Sequence, residues 1–372
     1  MNKKLKIIVS GGGTGGHIFP AISIADAVKK ADPEMEILFV GAKGRMEMER
    51  VPAAGYKIVG LPVAGFQRRF TFKNVTFFFK LAASIIKARK IIRQFKPDVV
   101  VGVGGYASGP IMKAAAFKGI PTLIQEQNSF PGVTNLLLAK KAVLICVAYP
   151  DMEKFFDAEK ILLTGNPVRQ ALMNRVDKEE AYKHFELTSG QKTILVVGGS
   201  LGARSINEGI SERVEMLRSI DIQMIWQTGK NYYDDIKKRT DQLGLSNLKV
   251  MPFVQRMDLA YAIADVVISR AGAGTISELA LLGKAAVLVP SPNVSEDHQT
   301  KNAMALVNRH AALLIRDNET TEKLLPQAIE LINSEILIKE LQKNILGFAK
   351  PNADTDIAKQ VIRLAKLKID NG

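Results

Sequence analysis

The stretch KIIVSGGGTGGH, residues 6–17, places a glycine-rich turn directly after an apolar run typical of a buried strand and directly before a helical pattern. The stretch TILVVGGSLGAR, residues 193–204, repeats this arrangement. Such a turn directs backbone N–H groups and the positive end of a helix towards an anion placed above it. Two of these units therefore predict two α/β domains that face each other across a cleft.

The remainder of the chain alternates strand-like runs with helical patterns, which favours parallel sheets built from strand–helix–strand units. The strands predicted in the first half lie at residues 6–10, 36–40, 99–103, 122–124 and 143–147. Those predicted in the second half lie at residues 193–197, 223–227, 249–251, 266–269, 286–289 and 312–315. The sequence GNPVR, residues 165–169, interrupts the alternation and marks the predicted domain boundary. The tail from Asp354 onward is predicted to be a helix.

Composition limits the class of protein. At 372 residues, the chain exceeds the size at which one hydrophobic core usually keeps growing, so two domains are expected. The one cysteine, Cys146, has no partner for an internal disulfide, which fits a reducing compartment. The N-terminal residues lack the apolar core of a signal peptide, and no run of about 18 apolar residues occurs. We therefore expect a cytosolic protein that does not span a membrane.

Positive charge is concentrated in the first half of the chain. The net charge is +14, and residues 1–165 hold 24 basic and 12 acidic side chains, whereas residues 166–372 hold 27 and 25. The excess peaks at residues 61–100, where nine basic side chains face one acid, Asp98, among seven phenylalanines. The segment that starts at Phe66 and ends at Lys96 is therefore a candidate surface for anionic lipid. The alternative is a domain core with a solvated basic face. No nucleic-acid-binding module is recognisable in it, so no nucleic acid partner is expected.

The first turn matches the pattern Gly-x-Gly-x-x-Gly of dinucleotide-binding proteins at Gly11, Gly13 and Gly16. A nicotinamide site also needs an acid at the end of the second strand. This chain has FVGA there, at residues 39–42, without a carboxylate, which disfavours a nicotinamide site. Alternatively, the glycines serve only to close a tight turn. His17 argues against that alternative, because a histidine at a helix start beside a cleft is well placed to act as a general base.

Two polar clusters of the second half each follow a predicted strand. In SRAGAGTISE, residues 269–278, small residues and Thr275 near a helix start suit phosphate oxygens. Glu278, one turn further on, can accept hydrogen bonds from a ribose diol, or it can simply favour the first helical turn. In EDHQTKN, residues 296–302, polar side chains lie where open α/β sheets bind ligands. Recognition of sugar hydroxyls and ordinary helix capping both remain open for this cluster.

Two loops of the first half, residues 102–106 and 125–128, are expected to open into the same cleft. Glu126 is the rival of His17 as candidate base. A metal would require an acidic cluster on a cleft loop, but the one Asp-x-Asp sequence, Asp354-Thr355-Asp356, is interpreted as a helix cap. The four histidines lack ligand spacing. We therefore expect neither a metal nor another cofactor.

Seven motifs, taken in order, resemble those of the MurG-type N-acetylglucosaminyltransferases, which finish the lipid-linked disaccharide precursor of bacterial peptidoglycan. They lie at residues 11–17, 102–110, 126–128, 165–169, 198–204, 269–278 and 299–302. The similarity runs from residue 6 to residue 315 in order and spacing. It is therefore far more specific than any one motif.

The resemblance implies a GT-B fold, with two Rossmann-like, doubly wound parallel-sheet domains facing an interdomain cleft. The first, residues 1–164 completed by a helix at 354–372, would take the lipid acceptor, and the second, residues 165–353, would hold the donor. The implied reaction is an inverting, metal-independent transfer of GlcNAc from UDP-GlcNAc to the C4 hydroxyl of undecaprenyl-pyrophosphoryl-MurNAc-pentapeptide. Its implied location is the cytoplasmic face of the bacterial inner membrane.

Carried onto this chain, the resemblance gives particular residues a role. Those implied near the donor sugar and the acceptor pyrophosphate are Thr14, Gly15 and Gly16. Those implied to contact UDP-GlcNAc are Asn128, Arg169, Ser200 and Gln299. The nucleotide would be held by the Val254 backbone at the uracil, by Ala273, Gly274 and Thr275 at the diphosphate, and by Glu278 at the ribose. Tyr106 and Glu126 would border the acceptor. The chain departs from the family at Gly274, where a larger residue is expected.

A single displacement needs one base for the acceptor hydroxyl, and we predict His17 in that role, with Glu126 second. Helix N-termini and Arg169 would meet the charge that develops on the departing UDP. Within the same fold, the alternatives are a glycolipid glycosyltransferase or a UDP-GlcNAc epimerase. From other classes, they are an NAD(P)-linked oxidoreductase or a nucleotide-binding regulator.

Overall fold

The computed structural model describes residues 4–13, 15–63, 72–168, 172, 176–199 and 201–370, except for the side chains at residues 72–78, 295 and 368–370. The chain divides into two compact units. One contains Met1–Val168 and Lys350–Gly372, and the other contains Arg169–Ala349. Each unit is built around its own parallel sheet.

The first unit has a sheet of seven strands within the described residues. They are β1 (Lys6–Gly11), β2 (Glu36–Ala42), β3 (Lys57–Leu61), β4 (Val99–Gly104), β5 (Thr122–Glu126), β6 (Leu144–Val147) and β7 (Ile161–Leu163). Their order is β3-β2-β1-β4-β5-β6-β7, and neighbouring strands are parallel. The direction of strand addition reverses between β1 and β4. Open α/β sheets bind ligands at the carboxyl ends of the strands beside such a reversal.

Helices cover both faces of this sheet. They are α1 (Gly15–Ala31), α2 (Glu47–Ala53), α3 (Phe72–Phe95), α4 (Ser108–Phe117) and α5 (Val133–Ala139). Alternate residues of β1 point to opposite faces, so that Ile7 and Val9 share a core with α1, while Ile8 shares one with α4. Because both faces are buried, β1 reads as a continuous apolar run.

The second unit has a sheet of six strands in the part of the chain that the structure describes. They are β8 (Lys192–Val197), β9 (Ile222–Gln227), β10 (Leu248–Met251), β11 (Val266–Ser269), β12 (Ala285–Leu288) and β13 (Leu313–Leu314). Their order is β10-β9-β8-β11-β12-β13, so the reversal lies between β8 and β11. The helices are α6 (Lys178–Phe185), α7 (Arg204–Ser211), α8 (Tyr233–Leu243), α9 (Met257–Ile263), α10 (Ala273–Leu282), α11 (His298–Val307), α12 (Thr320–Asn333) and α13 (Glu335–Leu346).

The last helix, α14 (Ala353–Asp370), belongs to the first unit. Its buried residues Ile357, Val361 and Leu364 recur every three or four positions and so form one helical face. That face packs in the same core as Ile18 and Ile24 of α1. Burial of this apolar stripe is what returns the end of the chain to the first sheet.

The two sheets share a detail at their amino ends. In each, the sequence Asp-Val-Val opens the strand after the reversal, at residues 98–100 and 265–267. Asp98 Oδ2 accepts the Lys6 amide N–H at 2.9 Å, and Asp265 Oδ2 accepts the Thr193 amide N–H at 2.8 Å. These bonds fix the register of the central strand pair, which decides the residues that reach the carboxyl edge.

Every strand expected from the sequence is present, with bounds that differ by at most two residues. The prediction omits β3 and β7, which lie at the two edges of the first sheet. An edge strand needs less apolar sequence than a central one, and β3 contains Lys57 and Gly60 within five residues.

Candidate functional site

His17 lies in the first turn of α1, beside the strand reversal of the first unit. Its half-buried imidazole packs on Gly104, the last residue of β4. A Cβ added at Gly104 would lie 2.7 Å from Cδ2 and 2.8 Å from Nε2 of His17. Gly104 also has a φ of +102°, which residues with a side chain rarely adopt. Glycine is therefore required here, and it lets the imidazole approach the carboxyl end of β4.

Glu126 is 1% exposed at the end of β5, and hydrogen-bond donors occupy both of its oxygens. Oε1 accepts the amide N–H of Asn128 at 3.0 Å and its Nδ2 at 3.2 Å. Oε2 accepts the amide N–H of Gly132 at 3.2 Å and Nδ2 of Asn135 at 2.8 Å. Burial raises the pKa of the Glu126 carboxyl, against the lowering effect of these four bonds. The arrangement suits a carboxylate that organises the turn carrying Asn128.

The same turn is bonded to the motif at residues 165–169. Gln125 Nε2 donates to Asn166 Oδ1 at 2.9 Å, and Asn166 Nδ2 donates to the Gln127 carbonyl at 3.0 Å. All three side chains are buried. Two sequence motifs that are about 40 residues apart therefore form one polar network, as expected where buried polar groups need partners.

An apolar groove of about 500 Å³ lies between α3, α4 and α5 in the first unit. Its apolar lining includes Leu81, Ile85, Met112, Phe117, Leu137 and Leu138. Lys113, Lys140 and Lys141 also line it, and Lys141 Nζ lies 4.5 Å from the centre of the Phe117 ring. Tyr106, which is 54% exposed, joins this groove to the turn of Gly104 and Gly105. Tyr106 therefore marks the end of the groove that is nearest in the chain to the strand reversal.

In the second unit, the glycine-rich turn after β8 leads into α7. Gly202 has a φ of +87°, and a Cβ there would lie 2.3 Å from the Thr228 carbonyl oxygen, so the position requires glycine. The residues that cap α7 and α10 are Ala203 and Gly272. Neither has a side chain that can accept a hydrogen bond from the first helical N–H groups. Both helix starts therefore offer backbone donors to an anion.

The start of α10 brings together the predicted residues Ala273, Gly274 and Thr275. A Cβ added at Gly274 would meet no atom within 4 Å, so open space lies beside this residue. Glu278 follows in the same helix, where its Oε2 accepts the Tyr261 hydroxyl at 3.2 Å. Because Tyr261 is 2% exposed, this bond holds the carboxylate to the body of the unit.

Val254, in the loop after β10, and Gln299, in the first turn of α11, lie at the same edge of the second sheet. The Val254 amide donates to Gln227 Oε1 at 2.9 Å, and Val254 is 1% exposed. Gln299 Oε1 accepts the amide N–H of Ser291 at 2.9 Å, which fixes the orientation of the side-chain amide. The predicted residues of the second unit that the structure describes thus follow β10, β11 and β12 at their carboxyl ends.

Arg270 has a place in this site that sequence reasoning did not assign. Its Nη1 donates to the Val289 and Pro290 carbonyls at 3.2 and 3.3 Å and pairs with Asp317. Its Nη2 donates to Ser205 Oγ at 3.0 Å. Arg270 therefore ties the start of α7 to the loop after β12. The sequence feature that could have indicated this role is a charged residue directly after β11, the strand at the reversal.

Three predicted residues, Thr14, Arg169 and Ser200, lie outside the described residues, as do residues 64–71 of the basic and phenylalanine-rich segment. Gly15 and Gly16 open α1 beside His17. Within the described residues, no group of three or more His, Cys, Asp or Glu side chains is placed to hold a metal ion.

Two family models match this chain over most of its length. The glycosyltransferase family 28 N-terminal domain matches residues 7–146, and the family 28 C-terminal domain matches residues 193–361. The chain belongs to glycosyltransferase family 28. The two matches contain the two glycine-rich turns, one in each domain of this family 28 chain.

Individual relatives agree with the family. A Bacteroides fragilis protein named UDP-N-acetylglucosamine--N-acetylmuramyl-(pentapeptide) pyrophosphoryl-undecaprenol N-acetylglucosamine transferase is 57% identical over 365 residues, which cover 97% of this chain and 96% of that protein. The crystal structure of Acinetobacter baumannii MurG has a TM-score of 0.79 at 28% identity and covers 96% of this chain and 99% of its own. The prediction of a glycosyltransferase of the GT-B class with two Rossmann-like domains is confirmed.

A third structure bears on the alternatives. The UDP-GlcNAc 2-epimerase from Neisseria meningitidis, bound to UDP-GlcNAc, has a TM-score of 0.66 at 15% identity and covers 97% of this family 28 chain and 100% of its own. This likeness shows a shared fold alone. The much higher identity to a named transferase over nearly the full chain favours transfer over epimerisation.

Proposed function

We propose that this family 28 chain transfers GlcNAc from UDP-GlcNAc to the C4 hydroxyl of undecaprenyl-pyrophosphoryl-MurNAc-pentapeptide, in peptidoglycan synthesis. The observation that carries the proposal is the 57% identity, over 365 residues, to a relative named for this transfer. The chemistry of the two units supports it. The first unit offers a histidine at its strand reversal, and the second offers two helix starts with backbone donors.

The second unit binds the donor in this proposal. The diphosphate lies at the starts of α7 and α10, where N–H groups and helix dipoles stabilise the charge that grows on the departing UDP. Glu278 accepts hydrogen bonds from the ribose hydroxyls, and the Val254 carbonyl accepts one from the uracil. Gln299 contacts the donor from the same edge of the sheet, and Ser200, Asn128 and Arg169 are further donor contacts in the proposal.

In the first unit, His17 acts as the general base. It takes the proton from the C4 hydroxyl while that oxygen forms a bond to the anomeric carbon of GlcNAc. The bond from that carbon to the diphosphate oxygen breaks, UDP leaves with the electron pair, and the configuration inverts. Glu126 supports this step as a positioning residue for Asn128, because its four hydrogen bonds occupy both carboxylate oxygens. Backbone dipoles and Arg169 stabilise the charge on the departing UDP, a role that a metal ion has in metal-dependent enzymes.

The apolar groove of the first unit gives the lipid part of the acceptor a place. Phe79, Ile86, Phe117 and Leu137 are 73%, 67%, 60% and 74% exposed on α3, α4 and α5. Lysines lie among them, a combination that favours the surface of an anionic bilayer. Among the described helices, none has the length and apolar character to cross a bilayer. We therefore include in the proposal peripheral binding at the cytoplasmic membrane face through the segment from Phe66 to Lys96 and its neighbours on α4 and α5.

Product analysis tests the reaction. The chain is incubated with UDP-GlcNAc labelled in the sugar, with and without a polyprenyl-pyrophosphoryl-MurNAc-pentapeptide acceptor. We expect label in a lipid-linked disaccharide and release of UDP that requires the acceptor. Conversion of UDP-GlcNAc to UDP-ManNAc without acceptor would instead indicate epimerisation.

Vesicle sedimentation tests the membrane surface. We expect the protein to bind vesicles rich in anionic phospholipid at low salt and to be released at high salt, because surface charges are screened. Equal partition into neutral and anionic vesicles at all salt concentrations would contradict this part of the proposal.

A further inference from the structure

A carboxylate that the reaction above does not use is buried next to the first glycine-rich turn. Glu47 is the first residue of α2 and is 0% exposed. Its Oε1 accepts the amide N–H of Ala42 at 2.8 Å, and its Oε2 accepts the amide N–H of Gly13 at 3.1 Å. The side chain thus bonds the end of β2 to the turn that follows β1.

The turn is also packed directly on this carboxylate. A Cβ added at Gly12 would lie 2.1 Å from Glu47 Oε1 and 2.5 Å from its Cδ. On another side, a Cβ at Gly105 would lie 2.3 Å from the Gly12 carbonyl oxygen. The backbone at Gly12 is therefore held between the Glu47 carboxylate and the turn after β4, against which the His17 imidazole also packs.

These contacts place Glu47 beside the turn that leads to His17. His17 follows Gly13 by four residues and lies in the first turn of α1, so a shift of the turn moves the imidazole. Catalytic geometry tolerates about 0.5 Å of displacement, and a misplacement of about 1 Å lowers rates by as much as 100-fold. A buried carboxylate keeps its hydrogen-bonded position strongly, since an unpaired buried charge is costly.

We propose that Glu47 is a positioning residue of the transferase, which holds the Gly12–Gly13 backbone and thereby sets the distance from His17 to the acceptor hydroxyl. The inference rests on the role of His17 in the proposed function. Because Glu47 takes the Gly13 N–H, it also determines that this group of the turn serves the protein and not an anionic ligand.

The test uses Glu47→Gln in the full chain. The amide keeps the shape of the carboxylate but replaces one oxygen with an NH₂ group. That group faces the amide N–H of Ala42 or of Gly13 and cannot accept its hydrogen bond, so one of the two bonds is lost. We expect kcat to fall about 10- to 100-fold, while the Kd for UDP stays within twofold. The matched control is Glu49→Gln, which removes a charge from the exposed side of the same helix and should leave kcat unchanged. A Glu47→Gln enzyme with wild-type kcat would overturn the inference.

A double mutant separates positioning from a general structural effect. If Glu47 acts through His17, then Glu47→Gln should cause no further loss of kcat in a His17→Ala background. Losses that multiply would show that Glu47 acts elsewhere and would overturn the inference.

Should Glu47→Gln fail to fold, Gly12→Ala applies the same test from the side of the turn, because its Cβ would collide with the carboxylate. A wild-type kcat for Gly12→Ala would also refute the inference. Failure of the proposed function is distinguishable, since it would appear as absent transfer in the unmodified chain or as full activity of His17→Ala alone.

Discussion

The two glycine-rich turns look alike in sequence but differ in what surrounds them. In the first unit, the N–H of Gly13 is taken by the buried carboxylate of Glu47, and the turn supports His17. In the second unit, α7 and α10 begin after Ala203 and Gly272, whose side chains cannot cap them. The first turn is thus held by a side chain of the protein and leads to His17, the proposed base, while the second leads into α7, whose start has no side-chain cap.

The difference shows how one motif serves two purposes. A strand, a glycine turn and a helix supply an anion site only where the N–H groups stay available. A side chain that accepts one of those N–H groups converts the turn into a support for a neighbouring residue. Variants in the first unit should therefore lower kcat, whereas variants in the second unit should weaken the binding of the donor.

The largest expected effect is that of His17→Ala. Loss of a general base should lower kcat by about 100-fold or more, while the Kd for UDP should stay within twofold. His184→Ala, which removes an exposed histidine from α6, is the control. Steady-state kinetics with a lipid-linked acceptor measure the effect, and a kcat within about threefold of wild type would remove His17 from the role of base.

Glu278→Ala should have the next largest effect, and it should change the affinity for UDP and not kcat. Hydrogen bonds to a charged group contribute about 1.5–3 kcal/mol, so UDP should bind about 10- to 100-fold more weakly. Since this loss is uniform for ground and transition states, kcat at saturating donor should change little. Calorimetric titration with UDP checks this, with Glu330→Ala on the exposed side of α12 as control. Unchanged affinity would show that the ribose lies elsewhere.

The proposed lipid-binding surface of the first unit gives a third test. Each lysine near an anionic leaflet contributes about 1 kcal/mol, so Lys140→Ala with Lys141→Ala should lower partition into anionic vesicles about 10- to 30-fold. The matched control is Lys339→Ala with Lys343→Ala, an exposed pair on α13 of the second unit. If both pairs lowered partition equally, net charge and not this surface would determine binding.

Gly274→Ala should have the smallest effect, and it should be favourable. A Cβ at this position meets nothing, and alanine in a helix is more stable than glycine by about 0.5–1 kcal/mol. Thermal unfolding should show this gain, with UDP affinity within twofold. Gly209→Ala in α7 is the contrasting variant, because its Cβ would lie 2.6 Å from the Thr320 carbonyl oxygen and should destabilise the unit. A large loss of UDP affinity in Gly274→Ala would mean that the ligand needs that space.

The sequence predicted the central strands well because both faces of each sheet are buried, which requires continuous apolar runs such as that of β1. It did not predict β3, whose edge position admits Lys57 and Gly60, or β7, which is apolar but only three residues long. It also gave no role to Arg270 or Glu47. Arg270 is distinguished in the sequence only by its place directly after β11, and nothing local separates Glu47 from the many charged residues on the surface.

The amino-acid sequence by itself determined two parallel-sheet domains, the positions of the glycine turns and the family to which the chain belongs, since periodicity and motif order are local properties. Only the tertiary structure decided that Glu47 accepts the Gly13 N–H, that His17 lies on Gly104, and that Glu126 accepts four hydrogen bonds. The physical reason is that hydrogen-bond partners and close backbone contacts are set by strand order, which joins residues far apart in the chain.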